Sequence, residues 1–279
     1  MNSENRRVGF IGAGQMGLPM VRRLVAEGWD VTAFARRADV RAQCEQAGAS
    51  TTDDCGAAVR NAGAVILCLF SDAQIRELAF GPDGFLGFVA PGALLVTHTT
   101  GSPGLVRQMA GDGSERRIRV VDAPVSGSAK SIEEGRVTVL LGGDTDDIAA
   151  ASALVASYGD PILAIGPLGS ALAVKLLNNA LFAAHVQLAG EVERVANGFG
   201  VDMSTVAPAI LQSSGASYAL DVVARWGSVQ KVAESAGPFL AKDVALVDAV
   251  VSELGLDLGV LGYANAHGPV NFPSRHESD

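Results

Sequence analysis

Several classes of protein are excluded by what this chain of 279 residues has little of. Its three cysteines, Cys44, Cys55 and Cys68, are odd in number and match neither a zinc site nor a bridged scaffold, so a reducing compartment is expected. Cys68 lies in the apolar run 64–70 and is expected in the core. His98, His185, His267 and His276 are scattered, so no metal site is expected. The net charge is −9 with no basic run beyond a pair or so, which argues against nucleic acid as a partner. Residues 1–5 carry no apolar signal region. No segment approaches the ~18 uninterrupted apolar residues of a membrane span, so a cytoplasmic protein with no membrane partner is expected. The Tyr-x-x-x-Lys pair of short-chain reductases is also missing: Tyr158, Tyr218 and Tyr263 are followed four residues later by Ile162, Val222 and His267.

What is present is a large apolar content, 48%, against 18% charged residues, enough for a sizeable core and roughly two domains. Near the N-terminus stands Val8-Gly9-Phe10-Ile11-Gly12-Ala13-Gly14-Gln15-Met16-Gly17. It reads as a buried strand, a G-x-G-x-x-G turn and a helix, the order of a dinucleotide-binding fingerprint. Gly12 permits the tight turn, Gly14 lets backbone approach a pyrophosphate, and Gly17 lets helix and strand pack closely. The anion then sits on the helix N-terminus, with Ala13, Gln15 and Met16 completing the turn.

Apolar periodicity predicts strands over 7–11, 30–34, 64–69, 93–97, 119–122 and 137–141. Helices are predicted over 16–27, 40–47, 72–79 and 104–109. This alternation implies a parallel sheet with helices on both faces. From residue 170 the composition turns Ala-rich and helical to about 197. Further helices are predicted over 204–212, 218–225 and 239–254, with no strand after 165. The expectation is an α/β chain: a Rossmann-type domain, 1–168, then an all-α domain, 169–279, entered by a long helix. The tail from Gly268 onward reads as loose or as an exposed cap.

The second strand ends at Phe34-Ala35-Arg36-Arg37, where an NAD-selective site usually has Asp or Glu. Arg36 and Arg37 suit the 2′-phosphate of NADP in charge and fork geometry, so NADP is preferred over NAD, although a solvated surface pair is the commoner fate of arginine. The ends of the third and fourth strands, Leu69-Phe70-Ser71 and Thr99-Thr100, should face the cofactor; Phe70 packs on the adenine side or belongs to the core. Asp122-Ala123-Pro124-Val125-Ser126-Gly127-Ser128 is either an anion-binding turn able to take a carboxylate or an ordinary Ser-Gly turn. Lys175 and Asn179 are four apart on the long helix and share a face. A lysine among apolar neighbours either snorkels or is functional; desolvation or a nearby cation makes such an amine usable as an acid or base near neutrality.

Taken with Ala241-Lys242-Asp243-Val244-Ala245-Leu246, these segments, in order over almost the whole chain, resemble the β-hydroxyacid dehydrogenases. The resemblance implies that Lys175 is the catalytic acid/base and that Asn179 holds the substrate's reacting oxygen or orients the lysine. It implies that Ser126, Gly127 and Ser128 hold a substrate carboxylate, that Thr100 contacts the cofactor, and that Lys242 lies near the nicotinamide with Asp243 beside it. It also implies a homodimer or homotetramer joined through the helical domain. The chain departs from the family at Ser128 (usually Gly), at Thr97-His98-Thr99-Thr100 (usually D-M-S-T-like), at Leu69-Phe70-Ser71 (usually M-L-P) and in a C-terminal helix that reads short. These departures bear on substrate and subunit contacts rather than on reaction type. An imine reductase-like enzyme and a non-catalytic NADP-binding module are the alternatives. Both tend to lack the residue that is Lys175 here. Tyr218 is a candidate for the pocket wall or a core aromatic, and His98 a candidate at the cofactor edge.

Overall fold

The computed structural model describes residues 6–272; residues 1–5, the tail from 273 and His276 lie outside the described residues. The chain divides into two compact units that part between Lys175 and Leu176.

In the first unit, β1 (Arg7–Ile11), α1 (Gly17–Ala26), β2 (Asp30–Phe34), α2 (Ala38–Gln46) and β3 (Ser50–Thr52) form the first winding. Then come α3 (Cys55–Val59), β4 (Ala64–Leu67), α4 (Asp72–Ala79), β5 (Leu94–Thr97), α5 (Pro103–Asp112) and β6 (Arg119–Asp122). The strands lie in the order β3-β2-β1-β4-β5-β6, all parallel. Strand order reverses between β1 and β4, the switch point at which such sheets bind ligands.

β4 and β5 are buried at every position, as strands covered on both faces must be. Alternate residues feed two cores. Val8, Phe10, Ile66 and Val96 meet Met20, Val21 and Leu24 of α1. Ile11, Val65, Leu67 and Leu95 meet Val59, Ile75, Leu105 and Met109 of α3, α4 and α5.

The far edge differs from the expected parallel pattern. β7 (Val125–Ser126) and β6 pair antiparallel with β8 (Val137–Gly142), and β9 (Gly159–Gly166) pairs parallel with β8. α6 (Ala129–Glu133) and α7 (Thr145–Val155) lie between these strands in sequence. In this unit β3, β7, β9, α3, α6 and α7 are additions to the predicted elements. β3 is short and polar, and β9 is mostly exposed, so neither carries an apolar alternation. The strand expected over 64–69 ends at Leu67. There the Leu69 N–H leaves the ladder and donates to Thr99 Oγ1 at 2.9 Å.

α8 (Ser170–Gly198) begins in the first unit and continues into the second. By length and mean hydropathy, 1.2, it could cross a membrane, but half of that stretch is buried in protein. In the second unit, α9 (Met203–Leu211), α10 (Tyr218–Trp226) and α11 (Val229–Glu253) pack on Val186 and Ala189 of α8. A smaller cluster joins Leu176, Ala180 and Val247. The helix expected to start at Phe239 starts ten residues earlier. Ser228 caps it, and buried Val229, Val232 and Ala233 carry it through Gly237-Pro238, a pair that locally disfavours helix. α12 (Gly259–His267) buries no residue fully.

Candidate functional site

The turn after β1 is closed on one side and open on the other. A Cβ on Gly12, whose φ is +103°, would lie 2.3 Å from Cys68 O, and one on Gly17 2.1 Å from Gly12 O. A Cβ on Gly14 would meet nothing within 4 Å. No side chain caps α1, whose cap position is Met16, and its first turn holds no acidic residue. α3, α4 and α5 are capped by Asp54, Ser71 and Ser102. An uncapped N-terminus beside an open glycine fits a pyrophosphate, which would take N–H groups of the turn and the favourable end of the dipole; the Leu18 N–H is bonded to Gly14 O and Pro19 has none.

At the end of β2, Arg41 Nη1 donates to Ala35 O at 2.7 Å and Arg36 O at 2.9 Å, pinning the loop. Both neighbouring guanidiniums are exposed and engaged. Arg36 pairs with Glu77 at 3.2 Å, and Arg37 grips Asp39 through two bonds of 3.0 and 2.6 Å. The Asp39 bonds raise the Arg37 pKa, and the Arg37 bond lowers that of Asp39. Beyond β4, the Phe70 N–H donates to Gln74 Oε1 at 2.9 Å, and Phe70 is half-buried. Beyond β5, Thr99 is buried and committed to Leu69, while Thr100 is half-buried.

His98 faces inward. Ala123 O can only accept, so His98 Nδ1 donates to it at 2.6 Å; Nε2 then accepts from Tyr158 Oη at 2.7 Å. Burial lowers its pKa to about 4. His98 is therefore a neutral scaffold residue rather than a group at the cofactor edge. Among the described residues no three His, Cys, Asp or Glu side chains gather as a metal site would require, and the three cysteines are free thiols.

After β6, Ser126 is half-buried and Gly127 exposed, with φ +148°. Ser128 is exposed and its hydroxyl caps α6, in a reciprocal box with Ser131. Asp122, at the end of β6, is fully buried. Its Oδ1 accepts from the Gly169 N–H at 2.7 Å and its Oδ2 from the Leu172 N–H at 2.8 Å. Burial raises the carboxyl pKa above its ordinary value, and these amides offset only part of that rise. Asp122 thus holds the first turn of α8, and buried Leu172 seats that turn on the core. One turn on, Lys175 is 9% exposed.

In the second unit Asn179 is 8% exposed, and its Nδ2 donates to Asp243 Oδ2 at 2.5 Å. The other carboxylate oxygen of Asp243 lies 2.7 Å from Lys242 Nζ. One buried carboxylate therefore ties two of the residues singled out by sequence. The Asn178 amide donates to Asn179 Oδ1 at 3.0 Å. Tyr218 is 69% exposed, tilted against Phe182 with Arg225 over its ring, so it is not a core aromatic. His185 is half-buried on α8. Sequence reasoning missed the grip of Asp122 on α8 and that of Asp243 on Asn179; the signal for the first was an acid at the end of an apolar strand, and for the second a Lys-Asp pair between apolar residues.

A doubly wound sheet with this turn at its switch point defines a dinucleotide-binding domain, here joined to a helical one. Residues 7–166 match the model of the NAD binding domain of 6-phosphogluconate dehydrogenase. Residues 169–267 match that of the NAD-binding domain of NADP-dependent 3-hydroxyisobutyrate dehydrogenase. The chain is 31% identical over 246 residues to an NAD-dependent L-serine dehydrogenase of Pseudomonas aeruginosa, covering 86% of this chain and 82% of that one. It is 29% identical over 266 residues to a 3-hydroxyisobutyrate dehydrogenase of the same organism, covering 91% and 89%. The structure of a Mycobacterium tuberculosis 3-hydroxyisobutyrate dehydrogenase with L-serine has the same fold, with a TM-score of 0.84 at 22% identity over 95% and 96% of the two chains. The protein is thus an NAD(P)-dependent oxidoreductase. It belongs to the β-hydroxyacid dehydrogenase family.

Proposed function

We propose that this dehydrogenase interconverts a small β-hydroxy acid and the matching semialdehyde or keto acid, with Lys175 as general acid/base. The observation that carries this reading is a lysine only 9% exposed, one turn beyond the carboxylate-held start of α8. When bound, the nicotinamide supplies the hydride chemistry. In oxidation, neutral Lys175 takes the proton of the substrate hydroxyl; in reduction, its ammonium returns that proton to the nascent alkoxide. Asn179, on the same helix face, steadies the reacting oxygen or the lysine, and its amide is turned by Asp243. Ser126 and Gly127 offer donors to a substrate carboxylate. Ser128 is tied into the start of α6, where its N–H donates to Ser131 Oγ and its own Oγ accepts from the Ser131 N–H, so its part there is to hold the loop rather than to add a backbone donor.

NADP is the preferred cofactor in this reading, held by the fingerprint turn from Gly12 to Gly17 with Leu69, Phe70, Thr100 and Lys242 along its length. Arg36 and Arg37 meet its 2′-phosphate. The test is a screen of short β-hydroxy acids, beginning with L-serine and 3-hydroxyisobutyrate because relatives bear those names, with NADP and NAD in parallel. Turnover of a β-hydroxy acid supports the reading; turnover of cyclic imines alone refutes it.

A self-association is proposed alongside. Val174, Leu177, Leu181, Leu188 and Val195 are exposed along α8 at separations of three, four and seven residues, a stripe that suits a helix of a second copy. Light scattering that shows a monomer at micromolar concentration would refute it.

A further inference from the structure

We infer that Asp122 is the positioning residue for Lys175: its side chain fixes the rotation and height of α8 on the sheet, and with them the place of the amine. The inference rests on the reading of Lys175 as acid/base. Asp122 is anchored from two sides, by β5 and by β8. Its strand pairs with β5, the next N–H, that of Ala123, donates to Thr97 O at 2.7 Å, and Asp122 itself pairs with Gly142 of β8. From this fixed point the carboxylate takes the N–H groups of Gly169 and Leu172 at 2.7 and 2.8 Å. Both oxygens are thereby committed to one helix end, and the residue is inaccessible to solvent. Gly142 leaves the room required, because a Cβ there would lie 2.4 Å from Asp122 Oδ1 and 3.0 Å from Ala171 N. Lys175 follows Leu172 by three residues, less than one turn, so any shift of that amide is passed to the lysine almost undiminished. Asp122 also opens the segment that runs to Ser126 and Gly127. A single residue therefore ties the proposed carboxylate loop to the helix of the proposed acid/base.

A carboxylate at a helix start also adds plain stability, so the test must separate the two roles. Asp122→Asn keeps the shape but turns an N–H donor toward an N–H donor. Gly142→Ala presses on the same carboxylate from β8. Each is made alone and together with Lys175→Met. The readouts are kcat, KM for the hydroxy acid, NADPH affinity by fluorescence, and the melting temperature. A misplacement of about 1 Å is expected to lower kcat on the order of 10²-fold. NADPH affinity and substrate KM should change within about threefold, and in the Lys175→Met background either substitution should change the residual rate by less than about twofold. Equal losses in both backgrounds, or full activity of both single variants, overturn the inference. A fully active Lys175→Met overturns the acid/base reading and this inference with it.

Discussion

Arg36 and Arg37 stand where an acidic side chain would otherwise meet a ribose hydroxyl, but each already holds a carboxylate. These exposed pairs are weak individually, so a doubly charged phosphate can displace them. Arg36→Ala should raise the KM for NADPH about tenfold or more, as loss of a charge-assisted contact does, with that for NADH nearly unchanged. Equal KM changes for the two cofactors, or none, would contradict the assignment. Asn179 differs in kind, because its amide is oriented by a buried acid. Asn179→Ala should lower kcat by about 10-fold or more, and Asp243→Ala should add little to it, since residues acting as a unit are not additive. Independent, multiplying losses would separate the two residues.

At the scale of elements, the turn after β1 makes a sharp contrast between glycines. Gly17→Ala drives a methyl into Gly12 O and should destabilise the fold by a few kcal/mol, read as a lowered urea midpoint. Gly14→Ala meets no protein atom, so it should leave the midpoint unchanged while weakening NADPH binding at least about tenfold. Unchanged binding in Gly14→Ala would remove the pyrophosphate from this turn. The element was legible because all its signals are local: an apolar strand, spaced glycines and a helix within about twenty residues. β1, β2, β6 and α4 were read at their observed bounds for the same reason. What escaped was either short and polar, such as β3, or held by partners distant in sequence. Asp122 reaches Gly169 across 47 residues, His98 reaches Tyr158 across 60, and Thr99 reaches Leu69 across 30. α11 was misread at its start because Gly237-Pro238 is a local stop signal that tertiary packing overrides.

For the molecule as a whole, acid sensitivity follows from His98. In the unfolded chain a histidine titrates near 6.5, and in the fold His98 titrates at about 4. Between these values the unfolded state binds more protons. The contribution is therefore complete above about pH 6.5 and is lost as pH falls through 4, a change of roughly 3 kcal/mol at most. Urea midpoints measured from pH 7 to pH 4 should fall, and His98→Asn should flatten that slope. Parallel slopes for the two proteins would place the acid sensitivity elsewhere.

The central claim is that Lys175 moves the substrate's proton, and single-turnover kinetics of Lys175→Met test it most directly, with NADPH saturating and the aldehyde or keto acid in excess. The predicted result is a hydride-transfer rate lowered by about 10²–10⁴, with NADPH affinity retained. A rate within a few fold of the unaltered protein, at the same NADPH affinity, would contradict it.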